Sequence, residues 1–399
     1  MPVVPQNEKR AGGPGWFARL CGLLGYVVFS FLFAAFVVEL GAFAIWTARH
    51  GLRPSHEEKL GSTSPSYSDF PWSAEFWKEE AARRKSARSK YVPFRLWGVT
   101  EWHSKYINDD PSDLGIVRRT ENPLPPGCAS KGTKSIWFFG GSTTYGSGVP
   151  DDSTVPSYLS RDLNASGAGC YVVTNLGVEG YNTNQELILL TEEIKKGRHP
   201  DVAVFLDGLN DAYVGAFAPG FYGAHWAYAA VKARMEGSLS GKLEFLRNSY
   251  ALRLLRESVA PDSRRSSFER QADAAVDNYL ANLAIARALG QKYSFEVVAF
   301  WQPFIGYGSK PLAPYESELV KFDANTPEGS AYPAMAAVYQ EAERRKSQDF
   351  FSLAHAFDGN SQSLYIDRWS HLAPQGNEIV ARAIAADLEA LSSTAPQRP

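Results

Sequence analysis

The chain has 399 residues and a formal net charge of −2, from 41 basic and 43 acidic side chains. That length allows two or three domains, or one α/β domain with attachments, and the near-even charge leaves no basic field to hold nucleic acid. An apolar fraction of 44% excludes wholesale disorder, while three cysteines without a Cys-x-x-Cys pair exclude a disulfide-built scaffold and argue against a cysteine-based zinc site.

After a short tail, residues 1–19, the stretch Leu20 to Trp46 carries one charged residue, Glu39. A helix of this run is roughly 40 Å long, enough to cross a bilayer with tilt. Trp16, Tyr26 and Trp46 supply interfacial aromatics. Ala42-Phe43-Ala44 resembles a signal-peptidase site, but the apolar core is too long for a cleaved leader, so a transmembrane helix over 20–46 is expected. Lys9, Arg10 and Arg19 balance Arg49, Arg53 and Lys59, so charge leaves the orientation open. An extracytoplasmic catalytic part is expected from the signal-anchor layout and from Cys128 and Cys170. These fall just before two neighbouring strands and would pair in an oxidising compartment; two buried free thiols fit the pattern equally.

Residues 47–130 lack clear periodicity and read as linker and an aromatic-rich segment packing on the main domain. Within them, Ser73 to Ser89 reads as a charged helix with a solvated face. From about 131 to 395 the pattern is regular. Apolar runs at 135–139, 171–174, 202–206, 297–301 and 350–353 read as strands, and amphipathic stretches at 155–163, 184–196, 268–289, 332–348 and 374–391 as helices. Alternation of this kind, with continuously apolar strands, predicts a three-layer flavodoxin-like sandwich around a parallel five-stranded sheet. Ligands of such sheets sit outside the carboxyl ends of the strands.

Four polar blocks lie at such places. They are Gly140-Gly141-Ser142-Thr143, Asn175 to Gly180, Gly208-Leu209-Asn210-Asp211, and Asp367 to Asn377, which contains His371. In order and content they resemble the SGNH (GDSL-like) serine hydrolases, with Gly-Gly-Ser in place of Gly-Asp-Ser, over about two-thirds of the chain. The resemblance implies the SGNH hydrolase fold and ester or acyl-transfer chemistry without a cofactor or metal. The residues support that chemistry. A serine hydroxyl is a poor nucleophile and needs a base, so Ser142 calls for His371 as base and Asp367 to fix its tautomer. The acyl oxyanion needs donors, for which the backbone N–H of Ser142, the backbone N–H of Gly180 and the side-chain amide of Asn210 are the candidates, as the resemblance also implies. Gly177 is the alternative to Gly180.

The family spacing is Asp-x-x-His, whereas three residues separate Asp367 from His371. Asp367 reaches the imidazole only if the loop bulges; otherwise a backbone carbonyl orients a Ser-His dyad, and Asp358 is a distant third option. An insertion over about 212–267, aromatic and glycine-rich at its start, reads as a lid or acyl pocket, or as a small helical subdomain. The glycine-rich loop after the first strand has no P-loop lysine and does not match a dinucleotide fingerprint, and the rim has too few carboxylates and histidines for a metal-dependent phosphodiesterase. The expected function is a membrane-anchored serine esterase acting on carboxylic esters, O-acetyl esters included, of a small molecule or glycan. An O-acyltransferase acting on an envelope glycan and a non-catalytic scaffold on a hydrolase fold are the alternatives.

Overall fold

The computed structural model describes residues 16–50, 64–86, 90–128, 132–166, 169–217, 220, 222–236, 249–259, 265–321 and 327–394. In chain order the elements begin with α1 (Trp16–His50), α2 (Ser73–Ser86), β1 (Lys90–Val92), β2 (Leu96–Gly98), β3 (Trp102–His103), β4 (Asn108–Ser112) and β5 (Gly115–Arg118). They continue with β6 (Lys134–Gly140), α3 (Ser142–Tyr145), α4 (Val155–Ala165), β7 (Tyr171–Asn175), α5 (Thr183–Lys195), β8 (Val202–Asp207), α6 (Leu209–Phe217) and α7 (Tyr228–Met235). The last are α8 (Tyr250–Val259), α9 (Arg265–Tyr293), β9 (Glu296–Trp301), α10 (Pro314–Leu319), α11 (Pro327–Arg344), β10 (Phe350–Ser352) and α12 (Pro374–Thr394). The chain divides into two compact units, residues 1–54 with 236–260, and residues 55–235 with 261–399.

The smaller unit pairs α1 with α8. Within Arg19–Ala48 an 18-residue window has a mean hydropathy of 2.4 and none of it is buried, so this helix is long and apolar enough to cross a membrane. Glu39 does not face outward alone. Its carboxylate accepts from Ser249 Oγ at 2.7 Å, from the backbone N–H of Tyr250 and, at 3.4 Å, from that of Ala251. It thereby caps the first turn of α8, while Phe43 packs edge-on against Tyr250 at 4.9 Å between ring centroids.

The larger unit is a mixed α/β domain on an eight-stranded sheet of order β10-β9-β8-β6-β7-β5-β4-β3. Strands β10, β9, β8, β6 and β7 are parallel. They are the five apolar runs of the sequence, and their order is the flavodoxin-like one. Ile136, Phe138, Phe139, Val204, Phe205, Leu206, Phe300 and Trp301 are buried, because helices cover both faces. The direction of strand order reverses between β6 and β8, so the loops after these two strands flank the crevice in which such folds bind ligands.

Three features depart from the sequence reading. The irregular segment contributes three antiparallel strands, β3, β4 and β5, that extend the sheet beyond β7. Buried Arg118 ties them down, donating to Asp151 at 2.6 Å and to the Val149 carbonyl at 2.9 Å, while Asn108 donates to the same carboxylate at 2.7 Å. The charged helix is not simply solvated: Glu80 and Arg83 of α2 are 2% and 5% exposed and pair at 2.8 Å. The early part of the expected insertion is core, since Ala212 and Val214 of α6 are buried. Cys128 and Cys170 form a disulfide just before β6 and β7.

Candidate active site

The site begins where β6 stops. Gly140 has φ +156°, and a Cβ there would lie 2.1 Å from Thr144 Oγ1 and 2.6 Å from the Leu206 carbonyl, so the chain turns sharply only with glycine. One helical turn, α3, follows and is closed by left-handed Gly146. Thr143, Thr144 and Tyr145 are buried, which leaves Ser142 as the partly exposed residue of the turn.

The closing loop brings the imidazole to this hydroxyl. Ile366 N–H donates to the His371 carbonyl at 3.0 Å and Ala373 N–H to that of Leu364 at 2.8 Å, which pinches the loop at its base. Inside it, Asp367 Oδ1 accepts from the backbone N–H of Trp369 at 2.9 Å and of His371 at 3.4 Å. This turn absorbs the extra residue and points Oδ2 at His371 Nδ1, with which it hydrogen-bonds. His371 Nε2 lies 2.7 Å from Ser142 Oγ. Asp358 lies elsewhere, bonded to His355 Nδ1 at 2.8 Å and to Ser309. Two contacts tie the loop to its surroundings: Thr143 Oγ1 donates to the Ser370 carbonyl at 3.4 Å, and the Tyr332 hydroxyl donates to that of Arg368. On the far side Tyr67 packs with Ile366 and Ala373.

The candidate oxyanion donors are distinguishable by what they already do. Gly177 N–H donates to Asn175 Oδ1 at 2.9 Å, and a Cβ on Gly177 would lie 2.3 Å from the backbone nitrogen of Tyr145. Gly177 is thus occupied in holding β7 against α3. Gly180 is left-handed, at φ +81°, and its N–H has no acceptor among the described residues. Asn210 Nδ2 gives one hydrogen to the Tyr181 carbonyl at 2.6 Å, leaving the second. It lies against the loop that carries Ser142, since a Cβ on Gly141 would be 2.4 Å from Nδ2.

Charge is arranged around the imidazole. Burial alone would lower the His371 pKa; the Asp367 carboxylate beside it, and then Glu179, outweigh that and raise it. Burial would raise the Asp367 pKa, but His371 and two backbone donors bring it below the ordinary carboxylate value. Behind Asn210 lies a buried acidic group of Glu186, Asp207 and Asp211. Burial raises all three, Asp211 to about 6, and Thr183 Oγ1 donates to Asp211 at 2.6 Å.

Sequence reasoning did not single out Glu179. It sits between Gly177 and Gly180, a stretch read for its glycines. Its carboxylate accepts from Ser147 Oγ at 2.6 Å and lies 3.4 Å from Arg83 of α2.

Residues 138–319 match the GDSL-like Lipase/Acylhydrolase family, a span that holds Ser142, Gly180 and Asn210 and ends before Asp367 and His371. Among solved structures, an alpha/beta hydrolase enzyme from the metagenome of Lake Arreo is 16% identical over 65% of this chain and 96% of its own, with a TM-score of 0.34. An acetylxylan esterase from Geobacillus stearothermophilus is 17% identical over 64% of this chain and 94% of its own, with a TM-score of 0.35. No curated protein matches. Over residues 138–319, a little under half of its length, the chain is similar to the GDSL-like lipases and acylhydrolases, a family of ester hydrolases.

Proposed function

We propose that the protein is a membrane-anchored serine esterase that cleaves carboxylic esters through an acyl-serine intermediate. The observation that carries this reading is the continuous line from Asp367 through His371 to Ser142, with 2.7 Å between imidazole and hydroxyl. His371 Nε2 takes the Ser142 proton as Oγ attacks the ester carbonyl. The negative oxygen that forms is met by the N–H groups of Ser142 and Gly180 and the spare hydrogen of Asn210. The carbon–oxygen bond to the alcohol then breaks, and His371 returns its proton to the departing oxygen. Water, deprotonated by the same imidazole, attacks the acyl-serine and releases the acid with Ser142 restored. Asp367 keeps the proton of the neutral ring on Nδ1 and stabilises the imidazolium.

A fluorophosphonate probe tests the nucleophile. Wild-type protein is expected to be labelled, and Ser142→Ala to lose labelling and at least ~10³-fold in p-nitrophenyl acetate turnover. Wild-type labelling no stronger than that of the variant would sink the proposal.

Retention of α1 as an anchor is supported by Glu39. Removal of the helix as a leader would leave Ser249, Tyr250 and Ala251 without the carboxylate that receives them. The Cys128–Cys170 disulfide supports an oxidising, extracytoplasmic setting for the domain. Alkaline carbonate extraction of membranes checks the anchor, which is expected to stay in the pellet; a mature chain starting after Ala44 would overturn it.

A further inference from the structure

The smaller unit holds an apolar surface that the anchor reading does not use. Among the described side chains of α1, those not fully exposed are Glu39, Ala42, Phe43, Trp46 and Thr47. They fall at i, i+3, i+4, i+7 and i+8, the spacing of one helix stripe. Helix α8 lies on that stripe. Tyr250 meets Phe43 and Trp46 at 4.9 and 6.3 Å between ring centroids, and the Glu39 carboxylate receives the first turn of the helix.

The depth of this contact follows from length. The uncharged run Leu20 to Val38 makes about 28 Å of helix, close to the ~30 Å hydrocarbon thickness of a bilayer. That run spans the acyl chains by itself. Residues 39–47 then rise through the headgroup layer, and the helix packed on them is held at the same level.

The composition of α8 suits that level. At 100° per residue, its positions fall on three arcs. Tyr250, Ala251 and Leu254 share the arc that begins on α1 with Tyr250. The charged positions 253, 256 and 257 share a second, and the apolar positions 252, 255 and 259 a third. Packing on α1 therefore uses one apolar arc and leaves the other. Leu255, on the remaining arc, is 58% exposed, and Leu40 and Ile45 of α1 are exposed at the same level. An amphipathic helix held at headgroup depth buries such an arc about 5–10 Å into the boundary with the acyl chains, while its charged arc stays in water. Continuity with the membrane-spanning part of α1 makes lipid the occupant.

We infer that α8 is a second membrane contact of this chain, an interfacial helix that seats its Leu252 and Leu255 side among lipid acyl chains beside α1. This rests on the reading of α1 as a retained anchor. It extends membrane attachment to a segment more than two hundred residues downstream.

Spin labelling of the full-length chain tests it. Cys128 and Cys170 are joined, so Cys21→Ala removes the one remaining thiol. In that background nitroxides are placed singly at Leu255→Cys, Arg256→Cys and, in α1, Phe29→Cys, and the protein is reconstituted in phosphatidylcholine vesicles. Each label is relaxed in turn by oxygen, which concentrates among acyl chains, and by a water-soluble nickel chelate. Oxygen is expected to dominate at 29 and, less strongly, at 255; nickel is expected to dominate at 256. Leu252→Cys reads the same arc should Leu255→Cys fail to fold. Three results would overturn the inference: nickel dominating at 255 or 252, a label there screened from both reagents by another protein surface, or oxygen dominating at 255 and 256 alike, which makes the helix embedded rather than interfacial. With oxygen dominating at 29, each of these defeats the second contact and leaves the anchor standing. Nickel dominating at 29 defeats the anchor, and this inference with it.

Discussion

In the proposed mechanism, Asn210 and His371 show how little of a residue's work lies in its own identity. Asn210 is useful because Tyr181 takes one amide hydrogen and Gly141 lets the other approach the nucleophile. Asn210→Ala is expected to lower kcat by about 10²–10³-fold with little change in KM, checked by steady-state kinetics on p-nitrophenyl acetate. In that mechanism His371 works as a base only when neutral. Its raised pKa places the acid limb of the kcat/KM profile above the ordinary 6.5, with activity rising as pH rises through it. Because Glu179 is among the charges that raise it, Glu179→Gln is expected to move that limb to lower pH. A limb that stays in place would remove Glu179 from the electrostatics of the base.

The roles of individual residues were only partly legible in the sequence. Ser142, Asn210 and His371 stand out because each follows an apolar run and sits among glycines or loop polars. The reach of Asp367 did not, because it depends on two backbone donors inside its own loop rather than on spacing. Glu179 was hidden by its neighbours, and no local pattern marks a carboxylate whose partner, Arg83, lies 96 residues away.

At the scale of elements, the five parallel strands were readable because burial on both faces demands unbroken apolar runs. The antiparallel extension was not. Strand β4 reads Asn-Asp-Asp-Pro-Ser, with neither alternation nor β-branched residues, and holds its place through Asn108, Arg118 and Asp151. Tertiary hydrogen bonding there overrides local propensity. The β7–α3 contact tests packing at this scale. A methyl group on Gly177 would meet the backbone of Tyr145 and Thr144, at 2.3 and 2.8 Å, which cannot move without carrying Ser142 along. Gly177→Ala is therefore expected to destabilise the fold by about 1–3 kcal/mol and to reduce activity in the fraction that remains folded, measured by urea unfolding and active-site titration.

Across the molecule, the disulfide closes a loop of 42 residues that contains β6, α3 and α4. Chain-entropy reasoning assigns it about 4 kcal/mol, so replacing both cysteines with serine is expected to lower the urea midpoint by that amount divided by m, with m little changed. An unshifted midpoint would show that the bridge constrains nothing the fold does not already hold. The sequence left these two thiols open between pairing and simple burial, since only the adjacency of β6 and β7 decides their distance.

The grip of Glu39 on the start of α8 has a practical corollary. The natural shortcut for such a protein is to discard the greasy N-terminal helix and express the remainder. That cut also discards the only acidic side chain between Leu20 and Trp46, and with it the stopper on a helix more than two hundred residues downstream. Biochemists who shorten the chain to make it soluble are also unplugging its middle.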